Sequence, residues 1–193
     1  ALLKYYNQNA LKSAALKPIA SGCQRTQAGW RNDDAEKLLA VMSMRFTYEQ
    51  VNPFAFEQPV SPHLAAPANS LNIPTILAAC QPVLTSDYDR LLIEGAGGWC
   101  APINHQETMA DLAQALHCPI ILVVGLRLGC LNHALLTWEN IQSRQLPFAG
   151  WIANQIDPKL QKYQENIDTL ERMMGLAPIS IVPYGGSVTS MLD

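Results

Sequence analysis

The clearest pattern with chemical meaning is an acidic residue between an apolar run and a run of glycines. Leu91-Leu92-Ile93 is followed by Glu94 and then by Gly95-Ala96-Gly97-Gly98. A carboxylate at the end of a buried strand is typical of a Walker B element, which holds Mg2+ beside the phosphates of a nucleotide. Glycines let the backbone approach a phosphate closely and present its N–H groups as donors. The alternative is a solvated glutamate before an ordinary flexible turn.

A lysine and a serine mark the end of a second apolar run. Lys17 and Ser21 lie in the segment Ala15-Leu16-Lys17-Pro18-Ile19-Ala20-Ser21-Gly22. A lysine at the carboxyl end of a strand can bind a phosphate or a carboxylate as a compact cation, and a serine hydroxyl can donate to a substrate oxygen. The alternative is that Lys17 is an exposed residue at a strand end.

Three acids cluster where a helical pattern begins. Asp33 and Glu36 have the spacing of a capping box, which predicts that one of these acids caps the helix. Asp34 has no such duty and is a candidate second carboxylate for a metal ion. The alternative is that the acids only favour the positive end of the helix dipole.

Two asparagines follow apolar runs further along the chain. Asn132 comes after the segment Gly125–Gly129 and is a candidate contact to a ligand or to a partner chain. Asn154 ends the run Phe148–Ala153, and its amide offers the donor and acceptor that suit the edge of a purine base. The alternative for Asn154 is a turn or capping residue.

The elements that must position these residues alternate between strands and helices. The predicted strands are 15–20, 90–93, 119–124, 148–153 and 179–182. The predicted helices are 34–41, 110–116, 131–144 and 160–174, and Thr108 with Asp111 predicts a capping box for the second. The strand runs lack polar alternation, which favours burial on both faces of a mostly parallel sheet in a doubly wound α/β fold. The proline-rich stretch 51–75 is predicted to be an ordered excursion over the sheet ends.

Composition limits the classes of protein and of partner. The chain has 193 residues, of which 49% are hydrophobic and 15% charged, which predicts a single globular α/β domain over residues 1–193. A net charge of −3 argues against nucleic acid as a partner. The five cysteines include no CxxC pair and indicate reduced thiols in a cytoplasmic protein. The longest apolar run, 120–124, is too short to span a membrane. No motif points to a zinc hydrolase or a covalent nucleophile.

Six segments, taken in order, carry a resemblance to a known family. They are Lys17–Gly22, Arg31-Asn32-x-Asp34-Ala35, Val51–Phe54 with Ser61-Pro62-His63, Glu94–Trp99, Gly129–Ala134, and Ala149–Asn154. Together they resemble the dethiobiotin synthetases, ATP-dependent ligases of bacterial biotin synthesis, over nearly the whole chain as far as Tyr184. The resemblance implies a P-loop NTPase-like fold, a mostly parallel sheet with helices on both faces. It also implies a reaction in which 7,8-diaminopelargonate, CO2 and ATP give dethiobiotin, ADP and phosphate, through a carbamate and a carbamic-phosphoric anhydride.

The resemblance also implies a role for each candidate residue. Lys17 would be catalytic, steadying the carbamate and the transferring phosphoryl group. Ser21 and Asn132 would bind substrate, Asn132 across a homodimer interface. Asp34 and Glu94 would hold Mg2+. The nucleotide-binding residues would be Asp34, Glu94, Gly95, Ala96, Gly97, Asn154, Gln155, Pro183, Tyr184 and Gly185.

The N-terminal part of the chain departs from the family pattern. No Gly-Lys-Ser/Thr sequence occurs, and residues 1–14 resemble the helix that follows a P-loop in that family. The expectation is that one strand and a P-loop lie upstream of residue 1. Two alternatives remain: a non-catalytic or regulatory homologue that has lost the P-loop, and a related amidotransferase-linked synthase of cobalamin synthesis. The second is disfavoured because the chain has no room for a glutaminase domain.

Overall fold

The computed structural model describes residues 1–67 and 70–188. The described chain divides into two compact units, an N-terminal unit of Leu2–Leu116 and a C-terminal unit from His117 onward. Among the described residues, no helix is both long and apolar enough to cross a membrane.

The strands of the N-terminal unit form short parallel pairs and one hairpin. They are β1 (Ser13–Leu16), β2 (Ile19–Ala20), β3 (Gln24–Thr26), β4 (Gly29–Arg31), β5 (Phe54–Ala55) and β6 (Arg90–Ile93). β1 pairs with β6 and β2 pairs with β5, both parallel, while β3 and β4 form an antiparallel hairpin. The single strand predicted over 15–20 is therefore two strands with different partners. Pro18 has no N–H to donate, so the ladder breaks at Lys17-Pro18 and resumes on β5.

The described residues of this unit also form six helices, of which the first is shorter than expected. They are α1 (Leu2–Gln8), α2 (Asp33–Val41), α3 (Tyr48–Val51), α4 (Pro62–Ala65), α5 (Ile73–Leu84) and α6 (Met109–Ala115). The helical pattern expected over 1–14 ends at Gln8, and Ser13 and Ala14 already belong to β1. α5 was not predicted, because Pro74 and Pro82 are residues that usually argue against a helix. Pro74 is tolerated in the first turn, where its missing N–H has no intrahelical partner to lose.

The helix caps correct one prediction and confirm another. Asn32, and not Asp33, is the N-cap of α2, because its side-chain oxygen accepts hydrogen bonds from the N–H groups of Asp34 and Ala35 at 3.0 and 3.4 Å. Asp33 is the first residue inside the helix, so the capping box predicted with Glu36 does not form. The capping box predicted for α6 from Thr108 and Asp111 is present.

β1 is buried on both faces, as predicted, and its alternate residues belong to different cores. Ala14 and Leu16 pack with residues of α5 and α6, including Cys80, whose burial raises its pKa to about 11. Ala15 packs on the opposite side with Leu3 of α1 and with residues of α2 and α3. Because alternate strand residues point to opposite faces, helices cover both sides of this strand.

The described residues of the C-terminal unit form a three-stranded parallel sheet with two helices. Its elements are β7 (Ile120–Leu126), α7 (Cys130–Ser143), β8 (Phe148–Gln155), α8 (Tyr163–Met174) and β9 (Ser180–Val182), and the strand order is β7-β8-β9. The predicted strands and helices are confirmed with shifts of up to three residues at their ends. β8 runs on through Asn154 and Gln155, so Asn154 lies within the last part of the strand and not after it.

One core holds this unit together. Residues of α7 and α8 pack with alternate residues of β7 and β8 around Trp151, which is fully buried and donates its indole N–H to the Leu176 carbonyl at 3.0 Å. Val123 and Ile181, by contrast, are 54% and 43% exposed. The prediction that these strands are buried on both faces is therefore wrong at these two positions. The helices α7 and α8 cover the face of β7 to which Val124 points. Val123 is exposed because it points to the opposite face of the strand.

Candidate active site

Lys17 is the centre of the candidate site in the N-terminal unit. It occupies the break between β1 and β2 and is only 6% exposed. Its ammonium group donates to Glu94 Oε1 at 2.6 Å, to the Gly95 carbonyl at 2.9 Å and to Asp34 Oδ2 at 3.3 Å. The structure therefore brings together the lysine and both carboxylates that the sequence singled out, and all three ammonium protons have an acceptor.

The two carboxylates come from different elements. Glu94 follows the last residue of β6 and donates its backbone N–H to the Leu16 carbonyl at 2.8 Å, which places it beside Lys17. Asp34 is the second residue of α2, where the positive end of the helix dipole favours a negative charge. The side chain of Asp34 is 49% exposed and that of Glu94 is 45% exposed, whereas the side chain of Lys17 is only 8% exposed. Each carboxylate thus pairs with a buried cation while keeping a solvent-accessible side.

A cavity of about 460 Å3 opens beside this ion-pair cluster. It is lined by Lys17, Ala20, Ser21, Asn32, Asp34, Pro59, Val60, Ser61, Pro62, Ala96, Gly97 and Ala101. The hydroxyl oxygen of Ser21 is buried and has no hydrogen-bond partner among the described residues. A buried hydroxyl without a partner is costly, so an unpaired one on a residue that lines a cavity is a candidate contact to a ligand.

The glycine-rich turn closes one side of the cavity. Gly97 and Gly98 have φ angles of 77° and 110°, in a region that side chains rarely adopt. At Gly97 a Cβ atom would also lie 3.0 Å from the Ala101 Cβ, so this position has no room for a larger residue. The turn therefore brings bare backbone to the cavity wall, as expected of a loop that approaches a phosphate.

The other predicted ligand residues lie in the C-terminal unit. Asn154 and Gln155 end β8, and Pro183, Tyr184 and Gly185 directly follow β9, its parallel neighbour. The backbone N–H of Tyr184 donates to Gln155 Oε1 at 3.2 Å, which ties the two strand ends together. Asn132 is exposed in the first turn of α7, after the carboxyl end of β7. Ligands of open α/β sheets bind at such strand ends.

Two buried polar residues at the site were given no role by the sequence analysis. Asn52 Nδ2 donates to the Lys17 carbonyl at 2.6 Å, and Tyr48 Oη donates to Asn52 Oδ1 at 2.8 Å. Burial raises the pKa of the Tyr48 hydroxyl, which keeps it protonated as a donor at neutral pH. A sequence signal existed, since Tyr48 and Asn52 are polar residues at helical spacing just before Pro53. Nothing in that signal indicates that they contact Lys17.

Comparison with known proteins gives matches over nearly the whole chain. The sequence model of a family described as an AAA domain matches residues 1–191. The ATP-dependent dethiobiotin synthetase of Cellvibrio japonicus is 44% identical over 184 residues, which cover 94% of this chain and 80% of that protein. The ATP-dependent dethiobiotin synthetase of Pseudomonas paraeruginosa is 45% identical, with 94% of this chain and 81% of the relative covered. The corresponding protein of Yersinia pestis bv. Antiqua is 44% identical, with 95% and 77% covered.

The chain belongs to the dethiobiotin synthetase family. This confirms the family that the six sequence segments indicated. The parallel strands and flanking helices likewise confirm the α/β, P-loop NTPase-like fold class. Dethiobiotin synthetases are enzymes of biotin biosynthesis.

Proposed function

We propose that this protein is an ATP-dependent ligase that converts 7,8-diaminopelargonate and CO2 into dethiobiotin. The observation that carries the proposal is the ammonium group of Lys17, held between Asp34 and Glu94 at the wall of a cavity, in a chain of this family. Phosphoryl transfer depends on positioning and on compensation of charge more than on a protein nucleophile. The cluster supplies both of these.

The proposed reaction has three steps whose atoms balance. One amine of the substrate attacks CO2 and loses a proton, which forms a C–N bond and a carbamate. A carbamate oxygen attacks the γ-phosphorus of ATP, and ADP leaves, which gives the carbamic-phosphoric anhydride. The second amine then attacks the carbonyl carbon and loses a proton, phosphate leaves with the C–O bond electrons, and the ureido ring closes. In each step negative charge develops on an oxygen, so a nearby fixed cation stabilises the transition state.

Lys17 is proposed to act as that fixed cation. Its ammonium group has three donors, and a bound carbamate or phosphoryl oxygen can take the place of one of its present acceptors. The bond to Asp34, at 3.3 Å, is the longest of the three and the one most easily exchanged. Ser21, whose hydroxyl has no partner among the described residues, is proposed to bind the reacting end of the substrate.

Asp34 and Glu94 are proposed to hold Mg2+. The described residues contain no group of three or more His, Cys, Asp or Glu side chains placed to bind a metal. Two half-exposed carboxylates nevertheless suit Mg2+, which prefers oxygen ligands and is usually bound through one or two carboxylates together with phosphates and water. When bound, the ion would neutralise charge on the nucleotide phosphates. Asp34 and Glu94 would orient it, and Lys17 would hold both carboxylates in place between turnovers through its hydrogen bonds to them.

The remaining residues are proposed to recognise the nucleotide and a second copy of the chain. Gly95, Ala96 and Gly97 would present backbone to phosphate. The cluster at the ends of β8 and β9, made of Asn154, Gln155, Pro183, Tyr184 and Gly185, would bind adenine through amide and backbone groups. Asn132 would reach substrate across a homodimer interface. Leu128 and Leu136, which are 95% and 58% exposed and lie four residues before and after Asn132, support a contact with a second copy.

A cytoplasmic location is part of the same proposal. None of the five cysteines forms a disulfide. Three of them are buried, and burial raises the pKa of the Cys23 and Cys80 thiols, which leaves them inert. Thiols of this kind persist where the surroundings are reducing.

Substitution of Lys17 tests the proposal. With the protein made from its complete gene, labelled bicarbonate, diaminopelargonate and Mg-ATP should give labelled dethiobiotin and one ADP per product. Lys17→Gln should lower kcat by at least about 100-fold, because a preorganised charge is lost where negative charge develops. Lys37→Gln, at an exposed position of α2, is the matched control and should keep the parental kcat.

Two results would contradict the proposal. A Lys17→Gln protein with parental kcat would remove the proposed role of Lys17. A parent protein that binds none of the three substrates would favour the non-catalytic homologue, and Mg-ATP would then leave its melting temperature unchanged.

A further inference from the structure

The backbone of Lys17 is held from outside the strands. Its N–H donates to the Val51 carbonyl at 2.9 Å, and its carbonyl accepts from Asn52 Nδ2 at 2.6 Å. The β1–β6 ladder stops at Leu16, and Pro18 has no N–H, so the main chain at Lys17 has lost its regular partners. Val51 and Asn52, at the end of α3, therefore supply the backbone hydrogen bonds that a neighbouring strand would otherwise make with Lys17.

A directional chain of hydrogen bonds continues from Asn52 to the start of α2. Asn52 Oδ1 accepts from Tyr48 Oη at 2.8 Å, and Tyr48 Oη in turn accepts from the Asn32 N–H at 2.7 Å. Asn52 and Tyr48 are 2% and 8% exposed. Because the hydroxyl gives its only proton to Asn52, its lone pair is left for Asn32, and each bond fixes the direction of the next. These three hydrogen bonds form the Tyr48–Asn52 relay.

The relay connects the backbone of Lys17 with Asn32, the residue that holds the backbone of Asp34. Asn32 caps α2 and holds the N–H of Asp34 at 3.0 Å, while Asp34 Oδ2 lies 3.3 Å from Lys17 Nζ. Lys17 and Asp34 are thus connected twice, once through their side chains and once through the relay. The direct bond is the long one, against 2.6 Å from Lys17 to Glu94, so the side chains alone fix the position of Asp34 weakly.

Arg31 fixes the orientation of the tyrosine ring. Its guanidinium carbon lies 4.0 Å from the centroid of the Tyr48 ring, within the range of a strong cation–π contact. The same guanidinium pairs with Glu49 at 3.1 Å and with Glu36 at 3.5 Å. The Tyr48 ring therefore packs against the Arg31 guanidinium, which is held by salt bridges to α2 and α3. This packing restricts the direction in which the Tyr48 hydroxyl points.

We propose that Tyr48 and Asn52 are positioning residues that set the separation of Lys17 and Asp34 in the working site. Neither side chain lines the cavity, so both act through the backbone of residues that do. Removal of the Tyr48 hydroxyl should leave α3 folded while loosening Lys17 relative to Asp34. The catalytic consequence rests on the proposed ligase function, but the loosening itself does not.

The first test measures Lys17 directly and does not depend on turnover. The protein is treated with limiting acetic anhydride, and the acetylation rate of each lysine is obtained by peptide mass spectrometry. Tyr48→Phe should raise the rate at Lys17 about fivefold relative to Lys37, since loss of one buried hydrogen bond changes a local equilibrium by about this factor. Tyr88→Phe is the matched control, because it removes a hydroxyl of the same unit that donates outside the relay, to the Leu84 carbonyl at 3.3 Å. An unchanged Lys17 rate in Tyr48→Phe would overturn the proposal.

The second test asks whether the effect on catalysis passes through Asp34. Tyr48→Phe should lower kcat about tenfold with little change in the KM for diaminopelargonate, and should have no further effect in an Asp34→Asn background. A merely structural role of Tyr48 would instead give the same fold-change in both backgrounds, which would overturn the proposal. Asn52→Ser breaks the same relay and should reproduce both results if Tyr48→Phe does not fold. If the parent makes no dethiobiotin, the ligase proposal fails while the acetylation rates still decide the positioning role.

Discussion

At the scale of single residues, two serines of the N-terminal unit show how hydrogen bonding separates a binding group from a structural one. Ser13 is fully buried, donates to Asn7 Oδ1 at 2.6 Å and accepts from the Ser43 N–H at 3.2 Å. The Ser21 hydroxyl oxygen is also buried but has no partner in the described part of the chain, and Ser21 is one of the residues that line the cavity. The first hydroxyl stabilises the fold, whereas the second is proposed to bind a ligand.

Replacing each serine by alanine should therefore affect different quantities, stability for Ser13 and substrate binding for Ser21. Ser13→Ala should lower the free energy of unfolding by about 1–3 kcal/mol, because it leaves buried partners unpaired. Ser21→Ala should leave that free energy unchanged or raise it slightly, while the KM for diaminopelargonate rises about fivefold through loss of one hydrogen bond. Urea unfolding and steady-state kinetics measure the two quantities. Equal destabilisation by both substitutions would show that Ser21 has a structural partner and is not kept for substrate.

The same scale shows which site residues a sequence can reveal. Lys17, Asp34 and Glu94 were identified because each lies at a strand end or a helix start, and such positions can be recognised locally. Tyr48 and Asn52 were not, because their importance depends on contacts with residues far away in sequence. Asn52 lies 35 positions from the carbonyl it binds. Local spacing contains no information about that contact.

At the scale of elements, α6 supports the glycine-rich turn. The N–H of Met109, the first residue of α6, donates to the Ala101 carbonyl at 2.9 Å, and the end of its side chain would lie 3.2 Å from a Cβ atom at Gly95. The capping box fixes this end of the helix, since Asp111 Oδ2 accepts from both the N–H and the hydroxyl of Thr108 at 2.7 and 2.6 Å. The start of α6 thus limits where the turn can lie.

Loss of this cap should weaken the helix and loosen the turn. Thr108→Ala should lower the free energy of unfolding by about 1 kcal/mol, the usual cost of removing an N-cap side chain. Thr75→Ala, at an exposed position in the first turn of α5, is the control and should change it by less than about 0.5 kcal/mol. Hydrogen exchange of the amides at 95–98 should become faster in Thr108→Ala alone. If those amides exchange at the parental rate, α6 does not support the turn.

An element could be predicted where its own residues determine it and not where distant partners do. β6 was predicted with its observed bounds, 90–93, because it is an apolar run closed by glycines. The division of the first predicted strand into β1 and β2 follows from the change of partner from β6 to β5, which the sequence does not express. α5 was missed because its prolines outweighed its apolar face, although a helix tolerates a proline in its first turn.

At the scale of the whole molecule, the question is whether the two units fold as one domain. The sequence predicts a single domain, and each unit has buried clusters of its own. Only four residues, Leu116–Pro119, separate α6 from β7. Cys118 within them is half-buried, and its burial raises the pKa of the thiol. Linkers between independent domains are typically longer as well as rich in glycine, proline and polar residues, and we propose on the length of this connection that the chain unfolds as a single cooperative domain.

Matched cavity-forming substitutions in the two cores test that proposal. Ile76 and Leu170 are fully buried, one in each unit, and truncation of either to alanine should cost roughly 2–5 kcal/mol. In a single cooperative domain, either variant lowers the free energy of global opening for the slowest amides of both β1 and β8 by the same amount. Native-state hydrogen exchange in low urea measures both strands in one experiment. If Leu170→Ala accelerates β8 and leaves β1 at the parental rate, the units are separate folding domains, and the site around Lys17 then owes its stability to the N-terminal unit alone.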